Sequence, residues 1–185
     1  MNEAIFTHLQ KEMDQCIGAL RKELAKIRTG RASTALLEHV VVDYYGATTP
    51  LNQLATLSAP EPRLLVIQPY DRNALGNIEK AILKSDLGLT PNNDGKIIRV
   101  PIPQLTEERR KELVKHVKKI AEEFRVSIRN HRRVAVEQLK EAEKKKEVTA
   151  DDSKHGQDRV QKITDDFIGR VDRIIKTKEE EIMEV

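Results

Sequence analysis

Apolar positions recur at alternating steps of three and four along three stretches of this chain. The first holds Ile5, Leu9, Met13, Cys16, Leu20, Leu24 and Ile27. The second holds Leu113, Val117, Ile120, Phe124, Ile128, Ala135 and Leu139, and the third Val160, Ile163, Phe167, Val171, Ile174, Lys178 and Ile182. Such spacing keeps one face of a helix turned to a core and predicts three amphipathic helices. Thr29-Gly30 marks the end of the first, because a glycine past the last apolar position is a common helix stop. Thr106 is a candidate cap for the second, with Glu107 and Glu108 complementing the helix dipole, and that helix runs to about Lys146. Thr149 with Asp152 three residues later predicts a capping box for the third. Helices of about 60 Å and about 50 Å follow from the rise per residue, and such lengths imply an elongated bundle with a narrow seam.

The stretch between the first two helices has a different texture. All 7 prolines lie between Pro50 and Pro103. Val40 to Tyr45 reads as a strand running into a turn at Gly46, with Tyr44 and Tyr45 on opposite faces as strand neighbours. Thr56 to Ser58 and Leu64 to Ile67 read as further strands. Asn73 to Ser85 reads as a short helix burying Ile78, Ala81, Ile82 and Leu83. Asn92 to Gly95 is a turn signal, and Lys96 to Val100 a last strand. The expected fold class is therefore α+β with two domains. Residues 1–30 and 105–185 form an elongated three-helix bundle, and residues 31–104 form an inserted small α/β domain. The chain leaves the bundle through Thr29, Gly30 and Arg31 and returns through Pro103, Gln104 and Leu105. Two adjacent crossings make a hinge, across which domain motion is the expected behaviour.

Composition agrees with long solvated helices rather than a thick core: charged residues are 34%, aromatics 3%, and Trp is absent. Net charge is only +3, but residues 106–147 carry fourteen basic and nine acidic groups, while residues 148–185 carry seven basic and ten acidic. The basic excess thus belongs to one segment and points to an anionic partner there. Within it, Arg125, Arg129 and Arg132 fall in a helical stripe roughly 60° wide, shared by Lys118, with Arg133 beside it. Solvated surface charge produces such stripes too. An arginine comb with few aromatics nearby suits a phosphate backbone in folded RNA better than stacked single-stranded bases.

Other chemistries find no support. There is no phosphate-binding glycine loop, no Cys-x-x-Cys and no His-Glu-x-x-His. The 5 histidines are scattered, so no metal site and no cofactor is expected. The acid pairs Asp151-Asp152 and Asp165-Asp166 diverge on a helix. Cys16 is the single cysteine and sits on an apolar stripe, which excludes an intrachain disulfide. No signal peptide and no membrane-spanning run is apparent, so a cytoplasmic protein is expected.

Six blocks, taken together, carry a resemblance. They are Lys26 to Ser33, Val42 to Gly46, Asp86 to Leu89, Ile98 to Pro101, Leu105 to Arg110 and Val126 to Arg133. In this order and spacing the chain resembles the bacterial ribosome recycling factor family over essentially its whole length. The resemblance implies an L-shaped, tRNA-sized monomer with a three-helix bundle and an inserted α/β domain. It implies a translation factor, not an enzyme, that binds post-termination ribosomes in the space vacated by tRNA. Elongation factor G with GTP would then split them into subunits. Large-subunit ribosomal RNA is the implied contact of the bundle, with neither DNA nor membrane involved. Arg129 and Arg132 match the family's main RNA-contacting arginines, and Arg133, Arg125, Arg28 and Arg31 are lesser candidates. Tyr44, Tyr45, Asp71 and Arg72 are candidate contacts for the protein partner, with core or turn roles as the alternative. Relatives often carry a second hinge proline where this chain has Gln104, and His131 is unexpected inside the arginine block. The competing reading is a coiled-coil adaptor whose basic stripe meets an acidic protein partner.

Overall fold

The computed structural model describes residues 3–184. The chain divides into two compact units, Met1–Arg28 with Glu107–Val185, and Thr29–Thr106.

The first unit is three helices, α1 (Glu3–Ala25), α4 (Glu107–Lys144) and α5 (Ala150–Met183), while the shorter α2 (Leu51–Leu54) and α3 (Leu75–Lys84) lie in the other unit. Cross-helix bonds set their directions. Arg159 on α5 meets Glu3 on α1 at 2.7 Å, and Arg170 meets Asp14 at 3.5 Å, so these two helices run parallel. Arg125 with Asp172 and Arg132 with Gln161 set α4 antiparallel to α5. The seam holds Phe6, Met13 and Leu20 of α1, Val117, Ile128 and Leu139 of α4, and Val160, Val171 and Ile182 of α5, all nearly inaccessible to solvent. Burial of such side chains contributes on the order of 2 kcal/mol each. The buried face is wider than a strict three-four stripe: Ile17 and Ile175 are buried, whereas Cys16, Phe124 and Ile174 are half-buried. Cys16 and Ile17, like Ile174 and Ile175, are adjacent in sequence, so both members of each pair border the same broad seam.

Helix ends differ from expectation in two places. The first helix stops at Ala25, not at Thr29-Gly30, and its end tightens through Lys26 N–H to Glu23 and Ile27 N–H to Leu24 carbonyls. The left-handed Gly30, at φ +76°, belongs to the chain reversal that follows. The second helix stops at Lys144, because Lys146 turns left-handed at φ +59°. Glu147 N–H then reaches the Ala142 carbonyl at 2.9 Å and Lys146 N–H the Glu143 carbonyl at 2.9 Å, a Schellman closure without glycine. The capping box at Thr149 and Asp152 is present in both directions.

The second unit contains two sheets. Strands β1 (Val41–Tyr44) and β2 (Ala47–Pro50) form a hairpin, followed by α2. Strands β3 (Ala55–Glu61), β4 (Leu64–Pro69), β5 (Asn92–Asn93) and β6 (Ile98–Pro101) form an antiparallel sheet in the order β3-β4-β6-β5. Its inward residues Leu65, Ile67, Ile98 and Val100 are fully buried with Ile78 and Ile82 of α3. Three expectations need correction. The helix expected from Asn73 begins as a 3-10 turn over Arg72–Ala74, initiated by Asp71 accepting from Asn73 N–H. Leu83 is 58% exposed, because it faces away from the side of α3 that buries Ile78 and Ile82. Tyr44 and Tyr45 do not face opposite sides. Tyr45 leaves the strand at φ +51°, which swings its ring edge-on to Tyr44 at 4.5 Å between centroids.

Candidate nucleic-acid interface

At 100° per residue, the outward face of α4 aligns Lys111, Lys115, Lys118, Arg129, Arg133, Lys140 and Lys144 in a stripe roughly 80° wide and about 50 Å long. Each of these residues is exposed. Between Lys111 and Lys144 the acid within that stripe is Glu122. Two of the seven hold a carboxylate, Lys111 that of Glu107 at 2.9 Å and Arg129 that of Glu122 at 3.2 Å, and the rest of the row suits an extended polyanion.

The arginines differ in what holds them. Arg125 is the most enclosed electrostatically: Nε and Nη2 reach Asp172 Oδ1 at 3.0 and 2.7 Å, and Nη1 reaches Glu122 Oε2 at 3.4 Å. Burial alone would lower its pKa, but Asp172 and Glu122 outweigh it and the net shift is upward. Arg129 donates to the other Glu122 oxygen at 3.2 Å and stays half-exposed. Arg132 has a neutral partner: Nη1 donates to Gln161 Oε1 at 2.9 Å, and its Nε is buried without an acceptor. Arg133 is exposed and has no side-chain partner among the described residues. Thus Arg125 is paired with two carboxylates at the rim of the seam, Arg129 shares one carboxylate, and Arg132 and Arg133 have no carboxylate in contact among the described residues.

Arg28 and Arg31 are exposed, each with an interaction of its own within the chain, and they lie in different units. His131 is half-buried beside His8 and Glu12 in a small cavity of about 20 Å³, on the α1 side of α4. The chain packs closely at Gly30, where a Cβ would sit 3.1 Å from Leu105 Cγ. Pro103 and Gln104 are exposed, while Thr29 and Leu105 are half-buried. In the second unit Asp71 Oδ2 accepts from Tyr44 at 3.0 Å and Tyr45 at 3.5 Å, and the bond to Asp71 pushes the Tyr44 hydroxyl pKa up. Tyr45 and Tyr70 are exposed, and the Tyr70 hydroxyl accepts from Thr56 at 3.4 Å.

Sequence reasoning missed Gln161, Asp172 and the double role of Glu122. Glu122 had a legible signal, since it lies one and two turns from Arg125 and Arg129. Gln161 and Asp172 reach α4 across the bundle, and helix register carries no local mark. Among the described residues no group of histidines, cysteines and carboxylates could hold a metal, and no helix is long and apolar enough to cross a membrane.

Known proteins resemble this chain over nearly its whole length. The family sequence model described as Ribosome recycling factor matches residues 20–183. The ribosome-recycling factor of Carboxydothermus hydrogenoformans is 59% identical over 185 residues, covering all of both chains. That of Bacillus subtilis is 54% identical over the same span, again covering all of both. A solution structure of a ribosome recycling factor aligns with TM-score 0.78 at 45% identity, covering 99% of this chain and 97% of the other. A second structure models the T. thermophilus ribosome recycling factor and the E. coli elongation factor G bound to the E. coli post-termination complex. It aligns with TM-score 0.66 at 48% identity, covering 98% of each chain. With full-length relatives above half identity and the family's pattern spanning nearly the entire sequence, this chain belongs to the ribosome recycling factor family.

Proposed function

We propose that this chain binds post-termination ribosomes through the outward face of α4 and, with elongation factor G and GTP, splits them into subunits. The observation that carries the reading is the state of the arginines. Arg132 and Arg133 keep uncompensated charge on a rigid helix flanked by Arg129 and a row of lysines. Guanidinium groups held in fixed geometry bind phosphate oxygens through paired hydrogen bonds, and large-subunit ribosomal RNA supplies such oxygens in quantity. Arg129, Arg132 and Arg133 are the principal contacts in this reading. Arg125 supports them by fixing α4 to α5, and Arg28 and Arg31 are peripheral.

The chain acts as a translation factor without catalysis of its own, and GTP hydrolysis belongs to elongation factor G. It works in the cytoplasm as a monomer. The crossings at Thr29, Gly30 and Arg31 and at Pro103, Gln104 and Leu105 serve as the hinge between the unit that grips RNA and the inserted unit.

Light scattering of post-termination ribosomes mixed with this chain, elongation factor G and GTP tests the reading. A fall in scattering that needs all three components is expected, and no fall with a matched elongation factor G would sink it. Arg132→Gly should weaken large-subunit binding while the protein stays folded. Removing one phosphate-binding cation should also lower the salt slope by about one.

A further inference from the structure

Arg132 is held by a two-step relay. Its Nη1 donates to Gln161 Oε1 at 2.9 Å, and Gln161 Nε2 donates to Asp165 Oδ1 at 2.8 Å. Gln161 and Asp165 are one turn apart on α5, so the second bond is local and sets the amide's orientation. The opposite flip would turn the amide NH2 on a guanidinium and the amide oxygen on a carboxylate, both repulsive. The oxygen is thereby committed to Arg132.

A carboxylate at the position of Gln161 could hold the same guanidinium. Asp172 does this for Arg125 and Glu122 for Arg129, and in both cases the cation is offset by an anion in contact. At Arg132 the carboxylate stands one residue further back and a neutral amide makes the contact. The Arg132 Nε is buried without an acceptor, a desolvation cost, so the bond to Gln161 is what orients the group. We infer that Gln161 is a positioning residue for phosphate recognition by Arg132, orienting the guanidinium while leaving its charge available. This rests on the reading of Arg132 as an RNA contact.

The test is equilibrium binding of the full chain to purified large ribosomal subunits across a salt series. The wild type, Gln161→Met, Arg132→Gly and the double variant form one cycle, with Gln161→Glu measured beside it. Gln161→Met keeps the side-chain length and helix preference and removes both polar interactions. It should weaken binding by about tenfold, the low end for one charged hydrogen bond, and cause no additional weakening in the Arg132→Gly background. Gln161→Glu should weaken binding and lower the salt slope by about one, with thermal stability held or raised, which a merely structural role would not produce. Wild-type binding by Gln161→Met alongside weakened Arg132→Gly overturns the inference and leaves the Arg132 reading standing. Equal weakening by Gln161→Met in both backgrounds also overturns it. Wild-type binding by Arg132→Gly removes the reading itself, and the inference with it.

Discussion

Asp172 Oδ1 accepts two bonds from Arg125, from Nε at 3.0 Å and Nη2 at 2.7 Å, and so ties α4 to α5 midway along the bundle. The pair sits at the rim of the seam, with Arg125 24% and Asp172 54% exposed at the side chain. Water screens such a pair, so Arg125→Met and Asp172→Asn should each lower stability by only about 0.5–1 kcal/mol, with the double variant costing less than the sum. Chemical denaturation of the four proteins measures this coupling. Neither variant should weaken large-subunit binding as much as Arg132→Gly. A larger binding defect in Arg125→Met would move Arg125 from the bundle's support into its contact surface.

Gly156 is buried in α5 where an added Cβ would lie 3.1 Å from both methyl carbons of Leu139 and 3.6 Å from Phe6 Cζ. Leu139 and Phe6 are themselves almost fully buried, so neither has open space to retreat into. Replacement by alanine gains about 1 kcal/mol of helix preference, but overpacking in a filled seam costs about 1–3 kcal/mol. Gly156→Ala should therefore be destabilising by about 1 kcal/mol net, and Gly156→Leu by several times more. A thermal midpoint raised by Gly156→Ala would mean that Leu139 repacks without strain.

What could be read in advance follows from the range of the forces involved. The three helices were visible because each apolar stripe is a local repeat, and the Thr149–Asp152 box because a cap involves residues within one turn. The strand cores Leu65, Ile67, Ile98 and Val100 alternate as a half-buried sheet requires. The β2 strand went unread because Ala47–Pro50 carries no alternating apolar signal; it is held by pairing with β1. Tyr45 was misplaced because a left-handed residue ahead of Gly46 leaves the period-two rule. At the candidate site, the run of cations was legible from spacing alone, although of the expected stripe Lys118 and Arg129 lie in the exposed row while Arg125 and Arg132 are half-buried toward α5. Which cations are neutralised was not, since Asp172 and Gln161 come from a helix whose register is set by packing far from either.

Gly30 combines two restrictions. Its φ of +76° is strained for any residue with a Cβ, and that Cβ would press on Leu105 Cγ at 3.1 Å. Left-handed backbone costs roughly 1–2 kcal/mol for an ordinary residue, and the close approach adds to it because Leu105 is already half-buried. Gly30→Val should lower stability more than Gly30→Ala, with hydrogen exchange rising first around Gly30 and Leu105. Exchange unchanged at both positions would show that the reversal relaxes freely. Such a result would also bear on the hinge reading, since a freely relaxing reversal does not restrict the path of the chain there.

Asp94 gives a pH signature confined to the inserted unit. Its Oδ1 accepts from Lys96 N–H at 2.9 Å and Ile97 N–H at 2.8 Å, and its Oδ2 from Arg99 Nη1 at 2.8 Å. The backbone bonds from Ile97 and Lys96, then the Arg99 interaction, hold its pKa at about 2 instead of 3.8. Because the folded value is depressed, the stabilisation is fully present above the unfolded pKa of about 4. It disappears as pH falls from there through about 2. Asp94→Asn should therefore be less stable than the wild type at pH 7, and the gap should close across that acid window rather than near neutrality. Thermal melts from pH 7 downward, together with an NMR titration of the Asp94 carboxyl, give both quantities. Parallel stability profiles with no convergence in acid would mean that the carboxylate meets the same donors in the unfolded chain. The turn that joins β5 to β6 would then owe its geometry to Gly95, at φ +89°, and to the Asn93 side chain accepting from Gly95 N–H at 2.7 Å.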